Sequence, residues 1–368
     1  MKMSRDGSRR RDVTVDDVAK VAQVSRSQTA RALGNYGAVS DGVRERVLAA
    51  AEQLQYRPNE VARSMTTGRS HTLGVVVADI ENPHFGLAAR GIADTAKKSG
   101  YNIILINTDE DTDAEVDAVR VLLDKRVDGF VVAPASSEEI RHLQQVLDAR
   151  RPLVLLDRFA DQMGVPTIAI DMAPVSYECT RYLLEAGHRR VAYISALQTS
   201  SPYIAGMKLS SSQVSDRIQG MRQAFADFKC AFPDDLVRFN AGDASSIRDI
   251  TRQVLMSNNR ATALIASDGL IALSMMESIQ NLGFSIPTDV SFVMYDDFPW
   301  TRLMRPPLTV VAQPAYEMGA AAAAALIRQI AGRPPTEPTP QLTATLIRRE
   351  SVGPAPHLLN NESFGRRF

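Results

Sequence analysis

The chain has 368 residues, of which 45% are hydrophobic and 23% charged, so it is long enough to form more than one domain. Its 42 basic and 42 acidic residues cancel, and no apolar run is long enough to span a membrane. The charged beginning of the chain leads into a polar helix instead of a signal-peptide core, which predicts a cytoplasmic protein. Cys179 and Cys230 lack a C-x-x-C spacing and are expected as reduced thiols in helical segments.

Positive charge is concentrated at the start of the chain. The first 70 residues hold 13 basic and 8 acidic side chains, which leaves 29 basic and 34 acidic ones for the rest. Arg9, Arg10 and Arg11 lie in a basic arm, residues 1–12, that we expect to be disordered. The asymmetry places positive potential where DNA phosphates would be met.

Residues 13–57 predict three helices. Thr14 with Asp17 has the spacing of a helix N-terminal cap, and Ser25 with Gln28 has that of a capping box. Apolar residues recur at helical spacing in the first and third segments, whereas the second carries outward Arg and Ser side chains. This layout is typical of a helix-turn-helix DNA-binding domain. An ordinary helical hairpin with solvated charges is the alternative, and the concentrated positive charge argues against it.

The segment VTVDDVAKVAQVS, followed by YRPN and VARSM, resembles the LacI/GalR family of bacterial transcription regulators from about Val13 to about Ser351. This resemblance implies a hinge helix and linker over residues 58–70. The second helix reads QTAR where the family usually carries Thr-Val-Ser-Arg, and Met65 replaces the usual leucine as an apolar wedge for a minor-groove step. The implied DNA contacts are Arg26, Ser27 and Arg31 at base edges, Thr14, Ser25 and Ser40 at phosphates, and Asn59, Ala62 and Met65 in the hinge.

From Thr72 onward, short Val/Ile/Leu-rich runs alternate with segments of helical composition. Near-continuous apolar strands separated by helices are typical of parallel sheets that are buried on both faces. Roughly 280 residues are too many for one core of this type, so we predict two doubly wound α/β subdomains. The LacI/GalR resemblance implies that they form a sensor like type I periplasmic binding proteins. The N-subdomain is expected at about 71–170 and 314–341, the C-subdomain at about 171–313 and 342–350, and a tail at 351–368.

Several predicted strands end in polar residues, and parallel sheets bind ligands outside the carboxyl ends of their strands. Three strand-ending aspartates, Asp79, Asp109 and Asp171, are assigned to helix caps or loops. The motifs NPHF, LLDRF, DRIQGMRQAF, ASDGLIA, MYDD and AQP resemble periplasmic sugar-binding proteins of the ribose type. This second resemblance implies that a monosaccharide, a pentose or a close derivative, binds between the subdomains.

The implied contacts combine aromatic stacking with charged groups, which suits a polyol because such groups satisfy many hydroxyls. They are Phe85 on a sugar face, Asp157 and Arg158 at hydroxyls, Arg217 at the ring or anomeric oxygen, Asp296 and Gln313, and Ser267 where an Asn is common. A structural ion-pair network of the two aspartates and two arginines is the alternative. The Ser-rich stretch TSSPYIAGMKLSSSQ before Arg217 is longer than expected and could cover the cleft.

The sequence contains no P-loop, no G-x-S-x-G and no metal-ligand spacing among its five histidines. We therefore expect no enzyme activity, no metal and no cofactor. His84 is a candidate ligand contact, and the other histidines are expected at the surface or in loops. The sequence predicts a homodimeric repressor of transcription whose affinity for double-stranded operator DNA depends on the effector. A cytosolic sugar-binding accessory protein without a regulatory role is the alternative.

Overall fold

The computed structural model describes residues 13–34, 37–56, 68–333 and 342–356, and the chain divides into two units at Ser70 and His71. The basic arm over 1–12 and the tail beyond 356 therefore lie outside the described residues. The same holds for the predicted hinge contacts Asn59, Ala62 and Met65.

The first unit contains three helices, α1 (Val15–Ala22), α2 (Arg26–Gly34) and α3 (Asp41–Gln53). Both predicted N-terminal caps are present. The Thr14 hydroxyl accepts from the Asp17 N–H while the Asp17 carboxylate accepts from the Thr14 N–H, and the Ser25 and Gln28 side chains make the same exchange. The helices enclose a small core of Val18, Ala22, Ala32, Val47 and Ala50. Val24, which follows α1, is only partly buried, although its place at the turn predicted a buried side chain.

The first sheet of the second unit is fully parallel, as predicted from its apolar runs. Its strands lie in the order β2-β1-β3-β4-β5. The second strand therefore pairs on one side of β1, and the later strands are added on the other side. The strands are β1 (Thr72–Val77), β2 (Asn102–Asn107), β3 (Gly129–Val132), β4 (Leu153–Leu156) and β5 (Thr167–Ile168). The connecting helices are α4 (Pro83–Lys98), α5 (Thr112–Asp124) and α6 (Arg141–Asp148).

The second sheet has six strands in the order β11-β10-β9-β8-β6-β7. It is parallel except at β11, which pairs antiparallel with β10 and was not predicted as a separate strand. The strands are β6 (Val191–Ile194), β7 (Val237–Arg238), β8 (Ala263–Ala266), β9 (Ser291–Tyr295), β10 (Thr309–Ala312) and β11 (Thr345–Ile347). Its helices are α7 (Ala173–Glu185), α8 (Ser212–Asp227), α9 (Ala244–Met256) and α10 (Gly269–Asn281).

The alanine-rich helix α11 (Ala315–Ile330) returns to the first sheet and packs against α4. Glycines on both helices permit the close crossing. A Cβ on Gly91 would lie 2.1 Å from the Tyr316 carbonyl oxygen, and one on Gly319 would lie 1.9 Å from that of Ala88. Any side chain at either position would therefore push the two helices apart.

Two expectations about single residues are wrong. Cys230 lies in the loop after α8, where the helix has ended, instead of within a helix. His142 is buried inside α6 instead of lying at the surface or in a loop, because Glu115 supplies its polar partner. His188 lies in the loop after α7, as expected, but it is also buried. The His142 ring contacts the Glu115 carboxylate, and the His188 ring lies 2.9 Å from both Thr262 Oγ1 and Ser291 Oγ. Across the described part of the chain, no helix combines the length and the apolar character that crossing a membrane requires.

Candidate functional site

A cleft lined by residues of both sheets lies at the carboxyl ends of their strands, which is where parallel sheets bind ligands. The structure brings all seven predicted ligand contacts to this cleft. They are Phe85, Asp157, Arg158, Arg217, Ser267, Asp296 and Gln313. The lining also contains polar residues outside that prediction, namely Asn82, Glu110, Ser195, Ser211, Gln213 and Asp268, together with the candidate contact His84.

The two central aspartates follow directly after parallel strands. Asp157 follows β4 with φ 70°, and Asp296 follows β9 with φ 73°. Left-handed backbone is uncommon for residues other than glycine and is often found at binding sites. Each conformation is held by a ladder bond, from the Asp157 N–H to the Ile168 carbonyl and from the Asp296 N–H to the Val311 carbonyl. The strand ends therefore fix where both carboxylates lie.

His84 lies between these carboxylates at the start of α4. Its Nε2 is 3.5 Å from Asp157 Oδ1, and its Nδ1 is 3.4 Å from Asp296 Oδ1. Burial alone would lower the pKa of His84, but the charges of Asp296 and Asp157 raise this pKa to about 10. The imidazolium therefore links a carboxylate on the first sheet to one on the second. Phe85 packs its ring edge-on against this imidazole, at 5.3 Å between centroids.

Arg158 is held by its own subdomain. Its Nη1 donates to the carbonyls of Pro134 and Ala135, both at 2.9 Å, and its Nη2 donates to Glu110 Oε1 at 2.7 Å. The Arg158 side chain is only 8% exposed, whereas Glu110 is 38% exposed. Both terminal nitrogens of the guanidinium thus already have protein acceptors, one of which is charged.

Arg217 has fewer partners. It lies in the second turn of α8, which begins at Ser212. Its Nη1 donates to the Ser267 carbonyl at 3.0 Å, and its guanidinium carbon lies 3.9 Å from the centroid of the Tyr295 ring. Among the described residues its Nε is buried without a hydrogen-bond partner. The Arg217 Nε–H is therefore free to donate a hydrogen bond to a ligand.

Unpartnered polar atoms are concentrated in this cleft. Seven buried side-chain nitrogen or oxygen atoms of the described residues lack a hydrogen-bond partner, and four belong to lining residues. Native structures contain few such atoms, and each requires an explanation. One of the four, His84 Nδ1, faces the Asp296 carboxylate at 3.4 Å. The other three are Gln213 Oε1, Arg217 Nε and Gln313 Oε1. Together they offer donors and acceptors in one cavity, which is what a molecule with several hydroxyl groups needs.

The Ser-rich stretch forms a strap, residues 199–211, between the two subdomains. On the second subdomain, Thr199 exchanges two hydrogen bonds with the Asn240 side chain. On the first, the Ser210 carbonyl accepts from the Ser137 N–H at 2.9 Å. The last residue of the strap, Ser211, caps α8 and lines the cleft. The prediction that this stretch covers the cleft agrees with its position.

In the helical unit, the predicted DNA contacts differ in exposure. Ser25, Arg26, Ser27 and Ser40 are exposed, whereas Thr14 and Arg31 are half-buried. Arg31 Nη2 donates to Ser27 Oγ at 2.8 Å, so the two predicted base contacts lie together on α2. Arg26 forms a long ion pair with Asp16, 3.5 Å, on α1. The second helix therefore presents a polar, basic face, which is how such a helix reads a DNA groove.

A helix-turn-helix unit joined to a two-subdomain sensor with a polar cleft defines a ligand-responsive transcription regulator. Residues 14–59 match the sequence profile described as bacterial regulatory proteins, lacI family. Residues 70–350 match the profile described as periplasmic binding proteins and sugar binding domain of LacI family, which is more than half of the chain. The chain belongs to the LacI family.

Three known proteins illustrate the similarity. Catabolite control protein A of Priestia megaterium is 29% identical over 311 residues, which cover 84% of this chain and 90% of that protein. The ribose operon repressor of Halalkalibacterium halodurans is 30% identical over 339 residues, which cover 92% of this chain and 97% of that protein. The lac repressor dimer bound to operator and the anti-inducer ONPF shares the fold, with a TM-score of 0.79, 24% identity, and coverage of 93% and 100%.

These similarities decide between the classes that the sequence left open. The chain is a DNA-binding repressor with a sugar-binding sensor domain, and it is not an enzyme. The match of residues 14–59 to a family of regulatory proteins excludes an accessory protein without a regulatory role. Within the described residues, no cluster of three or more His, Cys, Asp or Glu side chains has a metal-binding arrangement.

Proposed function

We propose that this repressor responds to a pentose or a closely related monosaccharide bound between the two subdomains of its sensor. The subdomains are residues 71–170 with 314–341 and residues 171–313 with 342–350. The proposed ligand contacts are Phe85, Asp157, Arg158, Arg217, Ser267, Asp296 and Gln313. The repressor acts as a homodimer, since specific affinity for an operator needs two half-sites about one helical turn apart.

The observation that carries this proposal is the set of three unpartnered polar atoms, on Gln213, Arg217 and Gln313, in one cleft. A monosaccharide carries several hydroxyls, each of which donates and accepts, so its hydroxyls can bond to the Gln313 side-chain oxygen and to the Arg217 Nε. The Phe85 ring supplies an apolar face for the C–H groups of a sugar ring. The similarity to a ribose operon repressor supports a five-carbon sugar.

A thermal-shift panel on the purified full-length protein tests the proposal. D-ribose, other pentoses, hexoses, sugar acids and polyols are compared, and a pentose should raise the melting temperature most. A ligand at 100 times its Kd stabilises the folded state by about 2.7 kcal/mol, which is readily measured. A larger response to a hexose or a sugar acid would contradict the pentose assignment. No response to any member of the panel would contradict a monosaccharide effector.

The proposed base contacts on α2 are Arg26, Ser27 and Arg31, and the proposed phosphate contacts are Thr14, Ser25 and Ser40. Arg31→Ala should weaken binding to an operator selected from a random library, because one bidentate arginine–base contact contributes about 1–3 kcal/mol of discrimination. Binding to unrelated DNA should change much less.

The matched control is Arg46→Ala on α3, an exposed arginine that should leave the ratio of specific to unspecific affinity unchanged. If Arg31→Ala lowered both affinities equally, Arg31 would be a phosphate contact.

A further inference from the structure

Gln213 lies where the strap joins α8 and is not among the ligand contacts predicted from the sequence. Its side chain is buried, at 4% exposure. Its Nε2 donates to the Asp157 carbonyl of the first subdomain and, at 3.3 Å, to the carbonyl of Ile170 on the crossover between subdomains. Because both neighbours are carbonyl oxygens, the atom that faces them must be the amide nitrogen.

This assignment leaves the other end of the amide without a partner. Gln213 Oε1 is buried and accepts no hydrogen bond from the described residues, and Gln213 lines the cleft. The neighbouring hydroxyls of Ser211 and Ser212 accept from the Val214 and Phe159 N–H groups, and neither makes a hydrogen bond to the Gln213 oxygen. The oxygen is therefore an acceptor held in place for a donor that the surrounding protein does not supply.

A second buried and unpartnered atom, a donor, belongs to a residue one helical turn further along α8. Arg217 lies four residues after Gln213, so the two side chains share a face of α8, and the Arg217 Nε is also buried without a partner. An acceptor and a donor on one helix face match a pair of hydroxyls, one of which donates while the other accepts. A carboxylate or phosphate oxygen would suit Arg217 but would be repelled by the Gln213 oxygen.

We propose that Gln213 is a specificity-determining effector contact whose oxygen accepts from a sugar hydroxyl while its amide nitrogen ties the two subdomains together. This inference rests on the proposed function and adds the ligand class to it: a neutral polyol with a hydroxyl donor at this position. A site that is built to accept from a hydroxyl rejects an analogue that lacks it, because the buried acceptor is then left unpaired. The same amide links recognition of that hydroxyl to closure of the cleft.

The first experiment is calorimetric titration of the full-length protein with D-ribose. Gln213→Met keeps the length of the side chain and removes both its donor and its acceptor. It should weaken D-ribose binding at least tenfold. Gln219→Met, on an exposed face of the same helix, is the matched control and should bind within twofold of the wild type. Binding of Gln213→Met within twofold of the wild type would overturn the proposal.

Titration with monodeoxy riboses identifies the sugar hydroxyl that donates to Gln213. The wild type should bind one deoxy isomer much more weakly than D-ribose, and in Gln213→Met that preference should fall to nearly one. If every preference stayed the same in the variant, Gln213 would not read a hydroxyl.

A measurement without sugar separates this inference from the proposed function. Hydrogen exchange of the Phe159 amide, which is bonded to Ser212 beside Gln213, should become several-fold faster in Gln213→Met because the tie between subdomains is lost. An unchanged rate would overturn the tie even if sugar binding were normal. A wild type that binds no sugar would contradict the proposed function, and the exchange rates would still decide whether Gln213 holds the subdomains together.

Discussion

The two walls of the cleft differ in how completely their polar groups are partnered. On the wall built by the first sheet, Arg158 donates to two carbonyls and to Glu110, and its position is fixed without a ligand. On the wall built by the second sheet, Gln213, Arg217 and Gln313 each keep one buried polar atom unpartnered. The first wall resembles a structural network, whereas the second is arranged to receive hydrogen bonds.

The sequence left open whether the charged residues of the cleft form a structural ion-pair network. The difference between the walls gives separate answers for the two arginines. A structural ion-pair network of two aspartates and two arginines describes Arg158 well, because its charged partner Glu110 is present. It describes Arg217 poorly, because no ion pair of Arg217 is found among the described residues and its charge lies against the Tyr295 ring. The same substitution on the two walls should therefore produce different losses, in folding stability on one and in ligand binding on the other.

The largest effect is expected on the second wall. Arg217→Met should weaken D-ribose binding at least 100-fold, or about 3 kcal/mol, because hydrogen bonds from a buried charged group to the ligand are lost. Folding stability without sugar should fall by only about 1 kcal/mol, since methionine still packs on Tyr295 and no carboxylate loses its partner. Titration calorimetry and a calorimetric melting scan measure the two quantities. Early melting with normal sugar binding would show that Arg217 is structural.

The next effect is expected on the first wall, where Arg158 already has three protein acceptors, so folding stability should fall in addition to any loss of ligand binding. Arg158→Met leaves the Glu110 carboxylate and two backbone carbonyls without their donor, which should lower the free energy of unfolding by about 2 kcal/mol. Urea denaturation of the ligand-free protein measures this loss. Arg120→Met is the control in the same subdomain, because its ion pair with Asp117 is exposed and should leave the midpoint unchanged. Equal midpoints for the two variants would contradict the structural role of Arg158.

The sequence predicted three wall residues that follow a strand, but it missed Ser195, which follows β6 directly. Asp157, Asp296 and Gln313 come directly after apolar runs, and the rule that parallel sheets bind ligands at their carboxyl ends places such residues together. Glu110 was missed although it lies three residues after β2, so the same rule could have found it. The short strand β11 was missed because its three residues, TLI, are too few to show a pattern.

Gln213 could not be predicted in this way, because its role depends on contacts that are distant along the chain. Its amide bonds to the Asp157 carbonyl, 56 residues earlier, only because the strap brings α8 against the first subdomain. The burial of His188 could not be predicted for the same reason, since its partners Thr262 and Ser291 lie 74 and 103 residues away. Local patterns identify elements and their ends, whereas partners across the fold require the fold itself.

A third prediction uses the pH dependence of the link between the walls. Although burial opposes it, the charges of Asp296 and Asp157 raise the pKa of His84 to about 10 in the folded protein, above the value of about 6.5 in an unfolded chain. The stabilisation is complete below pH ~6.5 and is lost as the pH rises towards the folded-state pKa. The free energy of unfolding should therefore fall between pH 7 and 9 by about 1 kcal/mol per pH unit more in the wild type than in His84→Phe.

Urea denaturation at pH 7, 8 and 9 gives the two slopes, and the His84→Phe variant keeps an aromatic ring against Phe85 without a titrating group. The charged groups around His84 are Asp157 and Asp296, with Arg158 and Arg217 acting on the Asp157 carboxylate. Identical slopes for the wild type and the variant would show that His84 does not carry a proton between the walls.

The smallest effect is expected where the strap joins the walls at the surface. Lys208 on the strap forms a 2.6 Å ion pair with Glu138 of the first subdomain, but the two side chains are 83% and 46% exposed. Exposed ion pairs contribute little because water screens them and two long side chains must be ordered. Lys208→Ala should therefore change D-ribose affinity less than twofold.

Ser212→Ala removes the partly buried acceptor of the Phe159 N–H and should weaken binding several-fold, because closure of the cleft loses a hydrogen bond. A larger loss from Lys208→Ala than from Ser212→Ala would mean that charge attraction across the cleft, instead of buried hydrogen bonds, holds the two walls together.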